Sequence, residues 1–316
     1  MARKPGLATL MLAATISRRF YIDGESKTQI AEEFGLSRFQ IARLLDLARA
    51  ESIVTFTIDV PGMFDAELSE AVRQQFGLRR VIVTIGGEHD ELPAVRRSVG
   101  KAAAALLAEL VTDDDVLGVA WGRTLSAMSE EMTELARCPV IQMVGAIGTV
   151  HENSLELVRR LTSVGGGRAY PLYVPLLLED EQSASALRRQ AAISAVIQRF
   201  ESITIAAAAI GSWSPPDSQL LRALSPEVRD RFLSEGIIGD VCATLLRDDG
   251  SIVEDLQPRS IAIHAAQLRR TREVVVAAGG AHKARAVRAA IRAKLCTTLV
   301  TDSSLARALL DLEQQG

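Results

Sequence analysis

Residues 118–124 read GVAWGRT, and the chain continues as LSAMSEEM. The apolar run that ends at Trp121 has the composition of a buried strand, and a helical pattern begins at Thr124. A glycine at such a junction lets the backbone come close to a ligand, and the free N–H groups at a helix start attract anions. We therefore predict that Gly122, Arg123 and Thr124 lie in a strand–turn–helix unit that binds a phosphate.

Short apolar runs alternate with helical stretches on both sides of this unit. The candidate strands are 80–85, 116–121, 139–144, 169–174, 202–211, 260–264, 273–279 and 297–301. The candidate helices between them include 95–110, 124–136, 153–164, 184–199 and 282–295. Continuous apolar strands separated by helices are typical of a mostly parallel sheet covered on both faces. The predicted fold class is therefore α/β, in which ligands bind at the carboxyl ends of the strands.

A second glycine-rich turn, GGAHK at residues 279–283, follows the candidate strand 273–279. Arg123 and Lys283 each lie in the first turn of a predicted helix, where a positive charge opposes the helix dipole. An ordinary strand–helix connection would explain either turn alone, whereas one shared phosphate explains both cations. Neither turn matches a Walker A loop or G-x-G-x-x-G, so we expect a phosphorylated ligand other than a nucleotide.

Other strand ends carry polar groups suited to sugar hydroxyls. The segment after strand 139–144 contains Gly145 and His151, and a lone histidine fits a ligand contact or an ordinary surface or core position. Gly211 ends another strand, and Asp240 either accepts a hydrogen bond from a hydroxyl or caps a turn. The predicted effector-binding residues are Gly122, Arg123, Thr124, Gly145, His151, Gly211, Asp240 and Lys283.

The first sixty residues follow a different pattern. Apolar residues from Leu7 to Asp23 have helical spacing, and two shorter helices are predicted to begin after the N-caps Ser26 and Ser37. Gln29 is placed to complete a capping box with Ser26. The alternating run SIVTFTIDVP, which ends at Pro61, is typical of a strand that packs beside the helices as a wing.

The spacing of the two shorter helices predicts a helix-turn-helix. This motif needs a small residue where the helices cross, a residue that tolerates positive φ in the turn, and an apolar anchor on the second helix. Ala31, Gly35 and Ile41 occupy those three positions. The alternative interpretation is an ordinary amphipathic helix pair with solvated arginines.

Exposed side chains of this motif are candidates for DNA contact, because the N-terminal half of the second helix would lie in the major groove. Arginine pairs with guanine and glutamine with adenine, and hydroxyls and lysines bind phosphates. The predicted DNA-binding residues are Lys27, Thr28, Ser37, Arg38, Phe39, Gln40 and Arg43.

Composition restricts the classes of protein that fit. The chain has 316 residues, enough for about two domains, and a formal net charge of −3. It therefore lacks the overall positive field that binds nucleic acid without selectivity. Residues 1–60 hold eight Lys and Arg against seven Asp and Glu, a net charge of +1. We expect a dimer or higher oligomer to be needed for useful DNA affinity.

Cysteine usage and hydropathy indicate the cellular compartment. Cys138, Cys242 and Cys296 have no CxxC spacing, which argues against a disulfide framework and a zinc site and fits a reducing cytoplasm. The apolar run Leu7–Ile16 is followed by Ser17-Arg18-Arg19 and not by a signal-peptide cleavage site. No run approaches the ~18 apolar residues of a membrane span. We expect a cytoplasmic protein without a membrane partner, a metal or a cofactor.

The order of several motifs resembles that of the SorC/DeoR-type sugar-binding transcriptional regulators over nearly the whole chain. The N-terminal part resembles their helix-turn-helix through SKTQIAEEFGLSRFQIARLL. The remainder resembles their effector domain through GVAWGRTL, VGAIGT, EGIIGDV, VVAAGGAHKARAVRAAI and TLVTD. The resemblance implies a Rossmann-like effector domain related to sugar-phosphate isomerases and glucosamine-phosphate deaminases. It also implies tetramers that leave, or rearrange on, an operator when a phosphorylated sugar or polyol binds.

The resemblance also implies roles for individual residues. By the match, Gly122, Arg123, Thr124 and Lys283 hold phosphate, and residues near Gly145 and Asp240 hold the sugar. The segment after Asp240 reads VCATLLRDDG, where the family usually has a glycine and an aromatic pair, so sugar specificity there departs from the family pattern. Some relatives form a Schiff base with a lysine near the position of Met143. This chain has Gln142-Met143-Val144, which favours non-covalent binding.

The predicted organisation has two domains separated near Val60-Pro61-Gly62. Residues 1–60 are assigned to a winged helix-turn-helix that binds DNA, and residues 61–316 to an effector domain that senses a sugar phosphate. A linking helix, 64–76, begins the second domain, because Phe64, Leu68, Val72 and Phe76 recur every four residues.

Two other functions are alternatives to a regulator, for which we predict no catalytic residues. A sugar-phosphate isomerase or deaminase needs a general acid/base, and the stretch 210–217, where the related deaminases place a histidine, has none. The four histidines, His89, His151, His264 and His282, form no evident relay. A third interpretation is a binding module whose helix pair only mediates oligomers. We favour the regulator, since a sensor that consumed its inducer would report it poorly.

Overall fold

The computed structural model describes residues 5–55, 63–86, 91–147 and 154–314. The chain divides into two compact units, Met1–Asp59 and Val60–Gly316. Each unit has its own hydrophobic core.

Residues 5–55 of the first unit form three helices: α1 (Leu7–Tyr21), α2 (Lys27–Phe34) and α3 (Arg38–Ala50). Ser26 and Ser37 are the N-caps of α2 and α3, and each forms a complete capping box with the glutamine three residues later. Gly35 ends α2 with φ of 63°, a left-handed conformation that glycine adopts without a steric cost. The core of this unit consists of Ile16, Ile30, Ala31, Ile41 and Leu45. The helix-turn-helix positions predicted for Ala31, Gly35 and Ile41 are therefore confirmed.

The predicted wing strand is not found where the structure describes it. Residues 53–55 form no strand, because the backbone N–H groups of Ile53 and Val54 both donate to the carbonyl of Ala48 at the end of α3, at 2.8 and 3.2 Å. These amides satisfy the helix C-terminus and are not available to a sheet. Residues 56–61 of the predicted wing lie outside the described residues.

The described part of the second unit has eleven helices and eleven strands. The helices are α4 (Ala66–Phe76), α5 (Leu92–Leu110), α6 (Arg123–Glu131), α7 (Ser154–Gly165), α8 (Glu181–Arg188), α9 (Ala191–Ile197), α10 (Gln219–Ala223), α11 (Pro226–Ser234), α12 (Ala265–Arg270), α13 (Ala284–Arg292) and α14 (Ser303–Gln314). The strands are β1 (Arg80–Thr84), β2 (Leu117–Val119), β3 (Val140–Gln142), β4 (Ala169–Tyr170), β5 (Ile205–Ala208), β6 (Ile210–Ser212), β7 (Ile237–Val241), β8 (Thr244–Arg247), β9 (Ile252–Val253), β10 (Glu273–Ala277) and β11 (Thr298–Asp302).

Seven of these strands form one parallel sheet in the order β1-β11-β10-β5-β2-β3-β4. Its central strands β5, β10 and β11 are buried along their whole length, which explains why Val, Ile, Leu and Ala predominate in them. The parallel α/β prediction is therefore confirmed. The Rossmann-like order places the carboxyl ends of β2, β5 and β10 side by side at one edge of the sheet.

A second sheet, which the pattern did not predict, is antiparallel and has the order β6-β7-β8-β9. The predicted strand 202–211 is divided at Ala209 into β5 of the first sheet and β6 of the second. The predicted strand 260–264 makes only isolated bridges, Val144 to Ala262 and Leu177 to Ser260. The predicted helix 184–199 is likewise divided, into α8 and α9.

The predicted linking helix 64–76 begins two residues later than expected, as α4. Asp65 is its N-cap and accepts a hydrogen bond from the backbone N–H of Leu68 at 2.9 Å. Phe64 instead forms a bridge with Thr84 at the end of β1. Helix α4 packs against β1 and α14, and Val72 is its fully buried residue. It is therefore part of the second unit's core.

Among the described residues, no helix combines the length and the apolar composition that crossing a bilayer requires.

Candidate functional site

An open cavity with about 500 Å³ of empty space, which includes space open to solvent, lies at the carboxyl ends of β2 and β5 and beside the second sheet. Its polar lining residues are Arg96, Trp121, Arg123, Thr124, Asp217, Ser218, Gln219, Asp240 and Lys283, and Gly122 and Gly211 contribute backbone. Six of the predicted effector residues therefore meet at one place: Gly122, Arg123, Thr124, Gly211, Asp240 and Lys283.

The turn from Trp121 to Thr124 forms one wall of the cavity. Gly122 has φ of 152°, and a Cβ atom there would lie 2.8 Å from the Cβ of Ala209, so a side chain would be both strained and crowded. Gly122 is the N-cap of α6 and has no side chain with which to cap it. Arg123 is the first residue of that helix, and Thr124 is buried. The first-turn N–H groups of α6 are thus presented at the cavity.

The second glycine-rich turn brings Lys283 to the same cavity. The backbone N–H of Gly280 donates to the Asp302 carboxylate at 2.7 Å, which holds the turn against the end of β11. Residues Ala281–Lys283 form one 3₁₀ turn before α13. Lys283 is only 6% exposed, and its ammonium donates to the carbonyl of Ile210 at 2.9 Å. Burial lowers the pKa of Lys283, and the nearby Asp217 carboxylate opposes that shift.

Asp217 forms ion pairs with all three of the cationic side chains that line the cavity. Its carboxylate forms ion pairs with the side chain of Arg123, with Lys283 at 3.3 Å and with Arg96 at 3.5 Å. Arg222 lies 3.8 Å away, and the Nε2 atom of His282 lies at 3.2 Å.

The electrostatics of Asp217 follow from these contacts. Burial alone would raise the pKa of Asp217, but the hydrogen bond from His282 and the charges of Lys283 and Arg123 outweigh it and hold the pKa well below its usual range. Asp217 is therefore a carboxylate at every ordinary pH. Burial lowers the pKa of Arg96, and the charge of Arg123 adds to that effect.

Asp240 is a second, buried carboxyl group that lines the cavity. One of its oxygens, Oδ1, accepts hydrogen bonds from the indole N–H of Trp213 at 2.8 Å and from the hydroxyl of Ser218 at 2.6 Å. Burial raises the pKa of Asp240 to about 6, and those two donors limit the rise. A Cβ on Gly211 would lie 2.3 Å from this oxygen, so only glycine fits there.

Among the predicted effector residues that the structure describes, Gly145 alone does not line the cavity, although its neighbour Val144 does. The backbone N–H of Gly145 donates to Ile261, and a Cβ there would meet the backbone of Pro175 at 2.7 Å. Its glycine is explained by that close packing of two segments. His151 lies outside the described residues.

Sequence reasoning missed several residues of this site: Arg96, Trp121, Asp217, Ser218, Gln219 and His282. The contact between His282 Nε2 and the Asp217 carboxylate, at 3.2 Å, was likewise not predicted. The indole N–H of Trp121, which lines the cavity, is buried and has no hydrogen-bond partner among the described residues. The chain has two tryptophans: Trp121 lines the cavity, and Trp213 donates a hydrogen bond to Asp240, which lines it.

The predicted DNA-facing side chains lie on α2 and α3. Ser37, Arg38, Phe39, Gln40, Arg43 and Thr28 are exposed, and the ring of Phe39, at 84% exposure, is accessible to a partner. Gln40 is partly committed, because its side-chain carbonyl accepts from the N–H of Ser37 in the capping box at 2.8 Å. Its amide NH₂ remains a donor. Lys27 lies over the ring of Phe20 at 5.5 Å.

The described residues contain no group of three or more potential metal ligands. All three cysteines are free and buried.

Comparison with known proteins places the chain in a family. The family model Sugar-bind, a sugar-binding domain, matches residues 61–311. The chain belongs to this family. It is 30% identical over 310 residues to the uncharacterized transcriptional regulator YjhU of Escherichia coli strain K12, and the match covers 93% of this chain and 92% of that protein.

A second relative and a solved structure agree with this assignment. The sorbitol operon regulator of Klebsiella pneumoniae is 25% identical over 313 residues, covering 95% of this chain and 98% of that protein. The crystal structure of the full-length sorbitol operon regulator SorC from that organism has the same fold, with a TM-score of 0.74 and 22% identity over 96% of this chain and 99% of that one. The chain is thus a SorC/DeoR-type transcriptional regulator with a sugar-binding domain.

Proposed function

We propose that the chain is a DNA-binding regulator whose operator affinity is controlled by a phosphorylated sugar or polyol bound in the cavity. The observation that carries this proposal is the excess of positive charge on one buried and two half-buried side chains. Arg96, Arg123 and Lys283 line a cavity in which Asp217 alone is a firmly ionised acid. Buried cations are costly unless they are paired, so this arrangement favours an anionic ligand.

The phosphate end of the ligand is assigned to Arg123, Lys283 and the first turn of α6. A phosphate dianion accepts charge-assisted hydrogen bonds from guanidinium and ammonium groups, and free N–H groups at a helix start add to them. Gly122 supports this assignment, since a glycine there leaves the backbone open to a phosphate oxygen.

The hydroxyl end of the ligand is assigned to Asp240 and Trp121. Both hydrogen bonds described for Asp240 go to Oδ1, so Oδ2 is left to accept from a hydroxyl. The unpaired indole N–H of Trp121 is a donor for a sugar oxygen. Non-covalent binding is supported by Gln142, whose buried side chain bonds to the backbone of Leu172 in both directions at 3.0 and 3.3 Å and cannot form a Schiff base.

The DNA-binding end is assigned to α3. Arg38, Phe39 and Arg43 are exposed near its N-terminal half, the part of a recognition helix that contacts base edges. The near-neutral charge of the first unit supports a dimer or tetramer as the DNA-binding form, because two half-sites would then add their contacts.

Fluorescence anisotropy of a labelled DNA duplex from the region upstream of the chain's own gene tests this proposal. The chain is titrated onto the duplex alone and with sugars and polyols in phosphorylated and free form. We expect sequence-selective binding that at least one phosphorylated compound, and not its free counterpart, changes by about 5- to 150-fold. Binding only by free sugars would refute the phosphate assignment. Absence of DNA binding would favour a helix pair that serves oligomerisation alone.

A further inference from the structure

The cations around Asp217 outnumber its single negative charge. Arg96, Arg123, Arg222 and Lys283 all form ion pairs with its carboxylate. The side chain of Arg222 is 60% exposed and is partly screened by water. The remaining three are largely buried, and they still leave an excess of positive charge.

Asp217 uses the same donor groups that a bound phosphate needs. The Arg123 guanidinium donates to one carboxylate oxygen, and the Lys283 ammonium lies 3.3 Å from the other. A phosphate that accepted from both groups would stand within a few Å of the carboxylate, and like charges at that separation repel strongly where water is excluded. The phosphate and the Asp217 carboxylate therefore compete for one position.

We propose that Asp217 is an internal competing anion that occupies the phosphate-binding cations in the empty cavity and is displaced by the ligand. This inference rests on the proposed function, and it identifies the residue that sets the charge a ligand must carry. A neutral sugar cannot repay the loss of the Asp217 ion pairs. A phosphate dianion brings twice the charge and three acceptor oxygens, so it displaces the carboxylate with a net gain.

Displacement of Asp217 has a second effect because of its neighbour. Ser218 follows it directly and donates to Asp240 at 2.6 Å, and the backbone N–H of Asp217 donates to Ser212 at 2.7 Å. A phosphate that displaces Asp217 acts on this segment directly. A ligand hydroxyl that bonds to Asp240 acts on it through Ser218, the next residue. The segment between β6 and α10 therefore responds to a complete ligand more than to either half of it.

Calorimetric titration with inorganic phosphate at pH 8 and constant ionic strength tests the competition. The chain is compared with Asp217→Asn and with the matched control Asp248→Asn, which removes a carboxylate that pairs with Arg285 and Arg288 outside the cavity. We expect Asp217→Asn to bind phosphate at least about tenfold more tightly than the unmodified chain, because the competitor is gone. The control should stay within about twofold, because Asp248 does not line the cavity and distant sites act independently.

Each other outcome decides against the inference in a distinguishable way. If Asp217→Asn binds phosphate equally or more weakly while the unmodified chain binds it, Asp217 orients the cations and only this inference fails. If neither chain binds phosphate or any phosphorylated compound, the proposed function fails and the inference fails with it.

Amide hydrogen exchange on the unmodified chain gives an answer even if the variant does not fold. Phosphate should accelerate exchange at Asp217, whose N–H bond to Ser212 loosens when the loop is displaced, and slow it in the first turn of α6. Slower exchange at Asp217 together with α6 would overturn the proposal.

Discussion

The helix α3 and the effector cavity use the same residue type under opposite conditions. Arg38 and Arg43 on α3 are exposed and form no ion pair with any described residue. Arg96 and Arg123 in the cavity are both held by Asp217. Water solvates an exposed arginine at little cost, whereas a buried one needs a counter-ion.

This difference predicts how each region responds to mutation. On α3, removal of a cation removes one contact to DNA and changes nothing else, because nothing in the protein depends on it. In the cavity, removal of any charge leaves its partners unbalanced, so binding and stability change together. The three predictions that follow test this contrast, in order of decreasing effect.

The largest effect is expected for Lys283→Met, which keeps the length of the side chain and removes its charge. We expect affinity for phosphorylated effectors to fall by about 100-fold or more, since one partner of a buried, hydrogen-bonded charge pair is lost. Operator binding without effector should be unchanged. Calorimetry and DNA anisotropy measure the two quantities.

Lys101→Met is the matched control for this variant, because Lys101 is exposed on α5. An unchanged effector affinity in Lys283→Met would show that the buried ammonium is structural, and the contrast between the two regions would lose its basis.

A smaller effect is expected for Arg38→Ala on α3. Loss of one base contact costs about 1–3 kcal/mol, so we expect operator affinity to fall roughly tenfold and selectivity over scrambled DNA to decrease. Thermal stability and effector affinity should not change. Competition binding with specific and scrambled duplexes measures the selectivity.

Arg49→Ala is the control, because Arg49 lies at the far end of α3 and pairs with Asp46. If Arg38→Ala weakens specific and scrambled duplexes equally, Arg38 contacts phosphate and does not read bases.

The smallest effect concerns the pH dependence that Asp240 introduces. Its pKa of about 6 means that it is increasingly protonated below pH 6, and only the carboxylate is a full acceptor for a ligand hydroxyl. Affinity for the sugar phosphate should therefore fall by about fourfold between pH 7 and pH 5.5 through this group alone. Titrations across this range measure it.

Asp240→Asn separates this contribution from that of the ligand, whose phosphate also titrates near pH 6. The variant should retain only the dependence due to phosphate. An identical pH profile in both chains would show that no hydroxyl is bound by Asp240.

The local pattern was sufficient to predict the helix-turn-helix, the parallel sheet and both glycine-rich turns. Capping residues such as Ser26 and Ser37 and the left-handed position of Gly35 act on their immediate neighbours, so they can be read from a short stretch. The antiparallel hairpin of β7 and β8 was not predicted, because its turn lacks the residues that usually indicate such a turn. Its turn residues, Cys242 and Ala243, have φ of 49° and 65°, a conformation usually signalled by Asn or Gly.

The charge arrangement of the cavity could not be predicted from local pattern. Arg96 lies inside an amphipathic helix, and Asp217 follows two prolines in a loop, where an acid has many ordinary explanations. They meet Lys283 only because the strand order of the sheet brings these segments together. The cations were recognised as needing an anion, and the protein supplies one from a part of the chain that carries no local signal.

The junction of the two sheets has a mechanical consequence. A single residue, Ala209, joins the end of β5 to the start of β6, and it packs against Gly122 across the cavity wall. One residue within close packing has no slack with which to absorb a shift of β6. A bound molecule that displaced Gly211 in β6 would therefore also displace the end of β5, the middle strand of the seven-stranded sheet. The rigidity of this one-residue connection would therefore determine how far a displacement of β6 by the proposed effector extends into the sheet.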